Sequence, residues 1–458
     1  MKLLAVSIVP IYKDHVEGGA QKILMEVLRD FAGQHEVRLL CTQRSDNRKP
    51  FNLCKDLKVL PVLKFRPHWP FPYMINPRDL LDIISKIRRE AEWADAIFFN
   101  SDGIYFKHLL RGLKKPLITS LHDFLYPMSI TSAILPEADK VIVPSGYVKE
   151  CIRHSIGGLY RGYMDRIVVI NCGVDHKVFS RDEAGRTALR AEMGLKSGEF
   201  CMLFPHRPDH SKGIPESIKL LVRLRAKGVP AKLLFLKHVD IKTRPELLED
   251  YQQIESELKA CGMLEHALFR DWLPYGRMRS VYSAADVTLN LGNFVESFGL
   301  APVESALCGT PVIASRVGCL RHNLKDLPGV FLHEYGDIRT AVRAGEHIYS
   351  RRPDMRAARE KLRKEFPFKG MLDRYSSEFI NAVVRPVPVA VCQQPTAMRY
   401  RLAPWCDLSK TGIYDDYAGK HMRLSAVQRR TLSRGEFMVR GVPWLRKLAG
   451  LNCIVPAV

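Results

Sequence analysis

The chain has 458 residues, 46% of them hydrophobic and 26% charged, which fits a globular protein of two or three domains whose core size is not limiting. A net charge of +21 points to phosphate-bearing partners, whether nucleic acid, anionic membrane or anionic metabolites, and does not choose among them. No apolar stretch reaches the roughly 18–20 residues that a membrane span needs, and eleven cysteines without a CxxC pair predict reduced thiols in a cytoplasmic compartment and no zinc site.

In chain order, the opening MKLLAVSIVPIY has the one lysine and short apolar run of a leader. It leads, however, into a glycine turn and an amphipathic helix, so it is read as a first buried strand. The runs EVRLLCT, KVLPVL, AIFFN, PLITSLH, KVIVPS and RIVVIN follow as strands, with helices predicted over Gln21–Phe31, Arg78–Ala91 and Tyr147–Ser155. Short apolar runs alternating with helices predict a parallel sheet covered on both faces. After a join near Gly173–Arg186 the pattern restarts. Its strands are FCMLFPH, KLLFLK, ALFRD, VTLNL, PVIAS and GVFLH; its helices are Ile214–Ala226, Arg244–Cys261, Gly276–Ala284 and Leu300–Cys308.

The prediction is an α/β chain with two Rossmann-like, doubly wound parallel-sheet domains facing a cleft, and chemistry on the loops beyond the carboxyl ends of the strands. The domains are placed at 1–173 and 174–367, with a helix over 368–386 returning toward the first. Residues 387–458 form a basic extension in which the alternation is lost; from Ala397 on it holds eleven Lys/Arg against four Asp/Glu.

Four motifs carry chemistry. In ESFGLAPVE, Glu296 precedes a predicted helix start and Glu304 lies about one turn into it, with Pro302 suited to the first turn. The amides of Ser297, Phe298, Gly299 and Leu300 would point out of that N-terminus, where the helix dipole favours an anion. Acids are poor phosphate ligands but good acceptors for hydroxyls, so sugar hydroxyls on both sides of a diphosphate would satisfy both glutamates. A solvated loop acid and a helix-surface acid explain the same spacing. In HRPDHSKG, Arg207 and Lys212 stand five apart at a strand end, a planar fork and a point charge for phosphate oxygens, or simply a charged turn. In EGGAQ, Gly18 and Gly19 permit a tight turn and open amides for phosphate. His122, beside Asp123 at a strand end, could serve a substrate hydroxyl or be an ordinary core histidine.

Together these motifs resemble the GT-B-fold retaining glycosyltransferases of the glycogen-synthase-like and mannosyltransferase-like group, the glycosyltransferase family 4 type, whose hallmark is E-x7-E. The segments GGAQKILMEVL, ADKVIVPSGYVKE, RIVVINCGVDHKVF, RPDHSKGI and MRSVYSAADVTLNL match in the same order, so the resemblance covers about residues 1–385. It implies that Glu304 binds ribose hydroxyls and that Glu296 lies near the donor sugar, with the amides of Ser297 to Leu300 on sugar and phosphate. It implies that Arg207 and Lys212 hold the diphosphate, that Gly18 or Gly19 presses on it, and that His122 stands at the reaction centre, with Ser145 a lesser candidate. It also implies metal independence, in keeping with the lack of a DxD triplet, and no cofactor beyond the nucleotide-sugar donor substrate. His206 stands where the family usually has glycine, and Asn293-Phe294-Val295 departs from its usual approach to the first glutamate.

The acceptor is expected on the first domain. Basic stretches over Arg78–Glu90 and Tyr105–Leu117 could lie on an anionic bilayer, or be ordinary helices with basic outer faces. HWPFPYM (His68–Met74) offers aromatics for an acceptor groove or an interfacial contact. The expected function is sugar transfer in lipid-linked or surface glycan synthesis, cytoplasmic and in contact with the membrane from that side. The alternatives are transfer to a nucleic acid or another anionic polymer, which ranks lower, and a non-catalytic nucleotide-sugar-binding protein on the same fold.

Overall fold

The computed structural model describes residues 1–66, 72–100, 104–238, 245–391, 399–439 and 441–457. The chain divides into two compact units: residues 1–172, 369–408 and 424–458, and residues 173–368 with 409–423.

The first unit is built on an eight-stranded sheet. Its strands are β1 (Lys2–Ser7), β2 (Glu36–Thr42), β3 (Phe51–Cys54), β4 (Leu57–Leu63), β5 (Ala96–Asn100), β6 (Leu117–Ser120), β7 (Lys140–Val143) and β8 (Ile167–Val169), in the order β3-β4-β2-β1-β5-β6-β7-β8. All neighbours run parallel except the edge pair β3/β4. Central strands such as β5, AIFFN, are buried at every position, because helices cover both faces of a parallel sheet. Those helices are α1 (Gly19–Phe31), α2 (Pro77–Trp93), α3 (Pro127–Ile134) and α4 (Gly146–Ser155). In α2, Asn76 caps the Asp79 amide, Pro77 opens the first turn, and the stripe Ile83, Ile87, Ala91 enters the core beside Leu4, Val6 and Phe99.

The second unit holds six parallel strands, β9 (Phe200–Phe204), β10 (Ala231–Leu236), β11 (Ala267–Arg270), β12 (Val287–Asn290), β13 (Val312–Ser315) and β14 (Val330–His333), in the order β11-β10-β9-β12-β13-β14. The strand order reverses beside β9, where β12 pairs on its other side. Its helices are α5 (Glu183–Glu192), α6 (Ile214–Ala226), α7 (Pro245–Ala260), α8 (Met278–Ala284), α9 (Leu300–Leu307), α10 (Leu320–Asn323), α11 (Ile338–Ser350) and α12 (Arg356–Glu365). Both units therefore have the doubly wound sheet that the sequence predicts.

Two aspartates explain why the segments ADKVIVPS and AADVTLNL look alike. Asp139 precedes β7 and accepts from Arg111 Nη1 and from the amides of Leu117 and Arg385, all at 2.8 Å. Asp286 precedes β12 and accepts from Arg186 Nη2 (2.6 Å), Arg190 Nη1 (3.0 Å) and the Cys201 amide (2.8 Å). Each carboxylate, Asp139 fully buried and Asp286 partly so, ties a strand start to its neighbours through charge-assisted bonds.

After α12 the helix α13 (Phe368–Ile380) sets Phe379 against Phe98 (4.9 Å between ring centroids) and Phe31 (5.2 Å). The C-terminal region folds as β15 (Tyr400–Leu402), β16 (Cys406–Leu408), β17 (Gly412–Asp415), β18 (Lys420–Arg423), α14 (Ala426–Leu432), β19 (Glu436–Phe437), α15 (Pro443–Gly450) and β20 (Ile454–Pro456). Strands β19-β15-β20 form a small antiparallel sheet in the first unit. The β17/β18 hairpin belongs to the second unit.

Among the described residues no helix is long and apolar enough to cross a membrane. The two basic stretches are tied to the first unit through part of their side chains, while Arg78, Arg88, Arg89, Leu81 and Leu109 stay exposed. The apolar stripe of α2 is core, Lys107 is buried and donates to Ser132 Oγ (2.8 Å), Arg111 holds Asp139, and Lys115 Nζ donates to the carbonyl oxygens of Ala91 and Glu92. Of the aromatic segment His68–Met74, residues 68–71 lie outside the described residues. Tyr73 stacks on Tyr105 at 4.7 Å and accepts its amide. The ten described cysteines are all free thiols.

Candidate functional site

In the second unit two loops meet at the carboxyl ends of β9 and β12. The first runs from β9 through His206 and Arg207 to a short turn, His210–Lys212, shaped by Asp209, which accepts from the Ser211 amide (2.9 Å) and hydroxyl (2.6 Å). The second leaves β12 and runs through Phe294 and Glu296 to α9. They touch backbone to backbone. A Cβ built on Gly292 would lie 1.9 Å from the Ser211 carbonyl oxygen, and the Phe294 amide donates to that same oxygen at 2.9 Å. Only glycine fits there.

This seam brings Lys212 to Glu296. Nζ lies 2.7 Å from Oε1, both side chains are largely buried, and the ammonium also sits 3.3 Å from the centre of the Phe294 ring. Burial pulls the Lys212 ammonium below its usual range against the attraction of Glu296. Burial alone would raise the Glu296 carboxyl; Lys212, His206 and Arg207 outweigh it, so the group stays ionised with a lowered pKa. His206 lies 3.2 Å from the Leu289 carbonyl oxygen through Nε2, and burial lowers it to about 4, so it is neutral near pH 7. Arg207 lies at the mouth of the same loop, its side chain 45% exposed, 3.9 Å from Asp209.

Ser297, Phe298 and Gly299 lead into α9. Gly299 occupies the N-cap with φ of +86°, and no side chain caps the helix, so the first-turn amides are available for an anion beside Glu296 and Lys212. Leu300 is the first helical residue, and Pro302 lies in the first turn as the sequence predicts. Phe298 is fixed edge-on against Phe366 at 4.9 Å. Glu304 is buried, not a surface acid, and its Oε2 accepts from Tyr282 Oη at 2.8 Å. Tyr282 was not singled out from the sequence, although it lies in the segment MRSVYSAADVTLNL that carries part of the resemblance. Burial and the neighbouring Glu304 push its hydroxyl well above the usual range, so it remains a donor.

In the first unit, Gly18 caps α1 with φ of −166°, an extended backbone that any residue adopts, and a Cβ there would meet nothing within 4 Å. The start of α1 is therefore open at Gly18. Gly19 begins the helix, and Gln21 braces the preceding loop by accepting from the Glu17 amide (2.9 Å) and donating to the Pro10 carbonyl (2.9 Å). His122 lies with Nε2 3.0 Å from Asn100 Oδ1 and 3.2 Å from Ser120 Oγ, and burial lowers it to about 4. The neighbouring Asp123 accepts through Oδ1 from the amides of Leu125 and Tyr126 and from Ser129 Oγ (2.6 Å). Ser145 is the N-cap of α4, accepting from the Val148 amide at 3.3 Å.

The two doubly wound units, one of them presenting helix-start amides beside a Lys–Glu pair and a buried second acid, place the chain in the α/β class. Residues 17–178 match the family described as Glycosyltransferase Family 4, and residues 185–365 match Glycosyl transferases group 1. The chain belongs to the family 4 type of glycosyltransferases with the GT-B fold. It is similar to a D-inositol 3-phosphate glycosyltransferase from Xylanimonas cellulosilytica, 30% identical over 239 residues, 48% of this chain and 53% of that protein. It is likewise similar to the protein of that description from Nocardia farcinica, 30% identical over 252 residues, 53% and 54% of the two chains. The matched region thus spans about half the length of these relatives. In fold it is similar to sucrose-phosphate synthase from Thermosynechococcus elongatus (TM-score 0.67, 19% identity, covering 83% of this chain and 98% of that one). It is also similar to HepE from Anabaena, solved in complex with UDP and glucose (TM-score 0.64, 17% identity, 82% and 98%).

Proposed function

We propose that the chain transfers a sugar from a nucleoside diphosphate sugar to an acceptor hydroxyl with retention at the anomeric carbon. The observation that carries this reading is the Lys212–Glu296 pair at the uncapped start of α9. Glu304, held by Tyr282, accepts from the ribose hydroxyls. Lys212, Arg207 and the amides of Ser297 to Leu300 hold the diphosphate, and Glu296 faces the donor sugar. When the bond from the anomeric carbon to the diphosphate oxygen breaks, negative charge grows on the leaving group. Removing one fixed donor of this kind costs about 3–4 kcal/mol of barrier. The acceptor oxygen bonds to the same face of the anomeric carbon, and its proton passes to the departing phosphate oxygen. No dedicated base and no metal enters this route. The acceptor is assigned to the first unit, near His122 and Asn100.

Melting the wild-type chain with UDP, GDP, ADP and TDP and their sugar conjugates, beside Glu304→Gln, tests the donor half. A ligand at ~100 times its dissociation constant adds about 2.7 kcal/mol. One nucleotide stabilising wild type but not the variant is the expected result; no shift with any of them defeats the reading. The relatives carry D-inositol 3-phosphate in their names, so it enters the acceptor panel beside a lipid-linked glycan. The release of nucleotide only with acceptor present separates transfer from mere binding.

A further inference from the structure

The residues matched by the two families end at 365, yet the second unit includes a hairpin from the far C-terminal region, β17 and β18. Its turn is rigid. The Asp415 carboxylate accepts from the amides of Tyr417 and Ala418, both at 3.0 Å, and the Asp415 carbonyl accepts from the Gly419 amide at 2.9 Å. His421 Nε2 lies 2.9 Å from the Tyr335 carbonyl oxygen, and Tyr414 packs its ring against those of His421 (4.8 Å) and Tyr335 (5.8 Å).

Asp416, at the turn, is buried with its side chain fully covered, and it accepts from Arg321 Nη2. Arg321 is itself 5% exposed and also donates to the Arg316 carbonyl oxygen through Nε (3.3 Å) and Nη2 (3.2 Å). The guanidinium thus closes the segment 316–321 on itself and ties it to the hairpin.

That segment is the floor of the candidate donor site. The Cys319 amide donates to the Glu296 carbonyl oxygen at 2.7 Å, and Asn323 Nδ2 donates to the Phe298 carbonyl oxygen at 2.8 Å. A Cβ on Gly318 would lie 2.5 Å from the Glu296 carbonyl oxygen, and one on Gly299 would lie 2.4 Å from Leu320 Cδ2. Four contacts within eight residues therefore set the backbone from Glu296 to Gly299. At the other end of the same loop, a Cβ on Gly419 of the hairpin would lie 3.2 Å from Asn293 Nδ2.

We propose that the β17/β18 hairpin is a working part of the donor site, and that Asp416 is a positioning residue which, through Arg321 and the segment 316–323, fixes the backbone of Glu296 to Gly299. Such a brace keeps the loop amides and the Glu296 carboxylate aimed at the sugar-diphosphate without touching it. The consequence for sugar binding rests on the function proposed above; the bracing itself does not.

The test therefore has two readouts, hydrogen exchange of the ligand-free chain and calorimetric titration with UDP and UDP-glucose. The variants are Asp416→Asn and the double variant Arg321→Met with Asp416→Leu. The double variant removes both charges together, so that neither is left buried alone if the single variant fails to fold. In whichever variant folds, the amides of 295–300 and 316–323 should exchange ~10-fold faster while β9, β10 and α6 stay unchanged. The affinity for UDP-glucose should fall ~10-fold or more and that for UDP alone by less, because the loop amides hold the diphosphate of both while the Glu296 carboxylate faces only the sugar. Unchanged exchange at 295–300 in a folded variant, or acceleration spread evenly over the unit, overturns the proposal. If the wild-type chain binds neither UDP nor UDP-glucose, the uridine form of the function fails, and the exchange pattern still decides whether the hairpin braces the loop.

Discussion

Lys212 Nζ and Glu296 Oε1 lie 2.7 Å apart across 84 residues of sequence, both mostly buried, at the start of α9. An ammonium sharing a site with a carboxylate can turn to a phosphate when one arrives, and the acid is then left facing the sugar. Glu296→Gln keeps the shape and loses the charge. It is expected to lower sugar transfer by ~100-fold or more while nucleotide affinity stays within about threefold. Steady-state rates beside calorimetric titration check this, and a variant with near-normal turnover would remove Glu296 from the mechanism.

Tyr282→Phe deletes the hydroxyl that holds Glu304 Oε2 at 2.8 Å and changes little else. A hydrogen bond to a charged group contributes about 1.5–3 kcal/mol, so the melting curve should shift by that order. If Glu304 is the ribose ligand, nucleoside diphosphate binding should weaken ~10-fold, because a loosened acid no longer waits in one orientation. Equal losses of stability in Tyr282→Phe with no loss of nucleotide affinity would make the pair structural only.

His122 and His206 are both lowered to about 4 by burial, from an ordinary value near 6.5. The folded chain keeps them neutral where the unfolded chain takes up protons. Stability is therefore fully present above about pH 6.5 and falls as pH drops toward 4, by about 3 kcal/mol per histidine at the most. Below 4 both states are protonated and this contribution levels off. Glu296 works in the same direction at lower pH, since its depressed carboxyl stabilises the fold above the usual carboxylate range and loses that as pH falls through its folded value. Urea midpoints at pH 7.5, 5.5 and 4.5 should show the fall, and His122→Gln should flatten it. Parallel curves for wild type and variant would mean that His122 titrates normally.

Apart from the half-exposed antiparallel edge strand β3, the strands of both sheets were legible because parallel strands buried on both faces read as unbroken apolar runs, AIFFN in β5 being the plainest. The C-terminal strands were not: β18 reads KHMR, is mostly exposed, and has no apolar alternation to find. In the site, residue types and order pointed to Glu296, Glu304 and Lys212, but spacing could not place Lys212 on Glu296. That contact is made by the backbone seam at Gly292, and a lone glycine after a strand says nothing about what it faces. Asp123 adjoins His122 in the sequence, but adjacency does not show what its carboxylate holds, which is two amides and a hydroxyl of the following turn. Asp416 carried no local signal at all, since its meaning depends on Arg321, 95 residues earlier.

The glycines separate a role in folding from a role in binding. Gly292→Ala places a methyl 1.9 Å from the Ser211 carbonyl oxygen and 2.4 Å from the Lys212 carbonyl carbon, both backbone atoms that cannot swing aside. The two loops would have to part, carrying Lys212 away from Glu296; a loss of about 3 kcal/mol or more is expected, in the range of overpacked cores. Gly18→Ala meets nothing within 4 Å and sits on extended backbone, so stability should stay within about 0.5 kcal/mol of wild type. The same methyl would nevertheless stand over the open start of α1, where a phosphate would press on the amides. Paired melts with and without nucleoside diphosphate sugar read both effects. Normal stability with weakened donor binding in Gly18→Ala assigns that helix start to the donor, and unchanged binding removes it from the site.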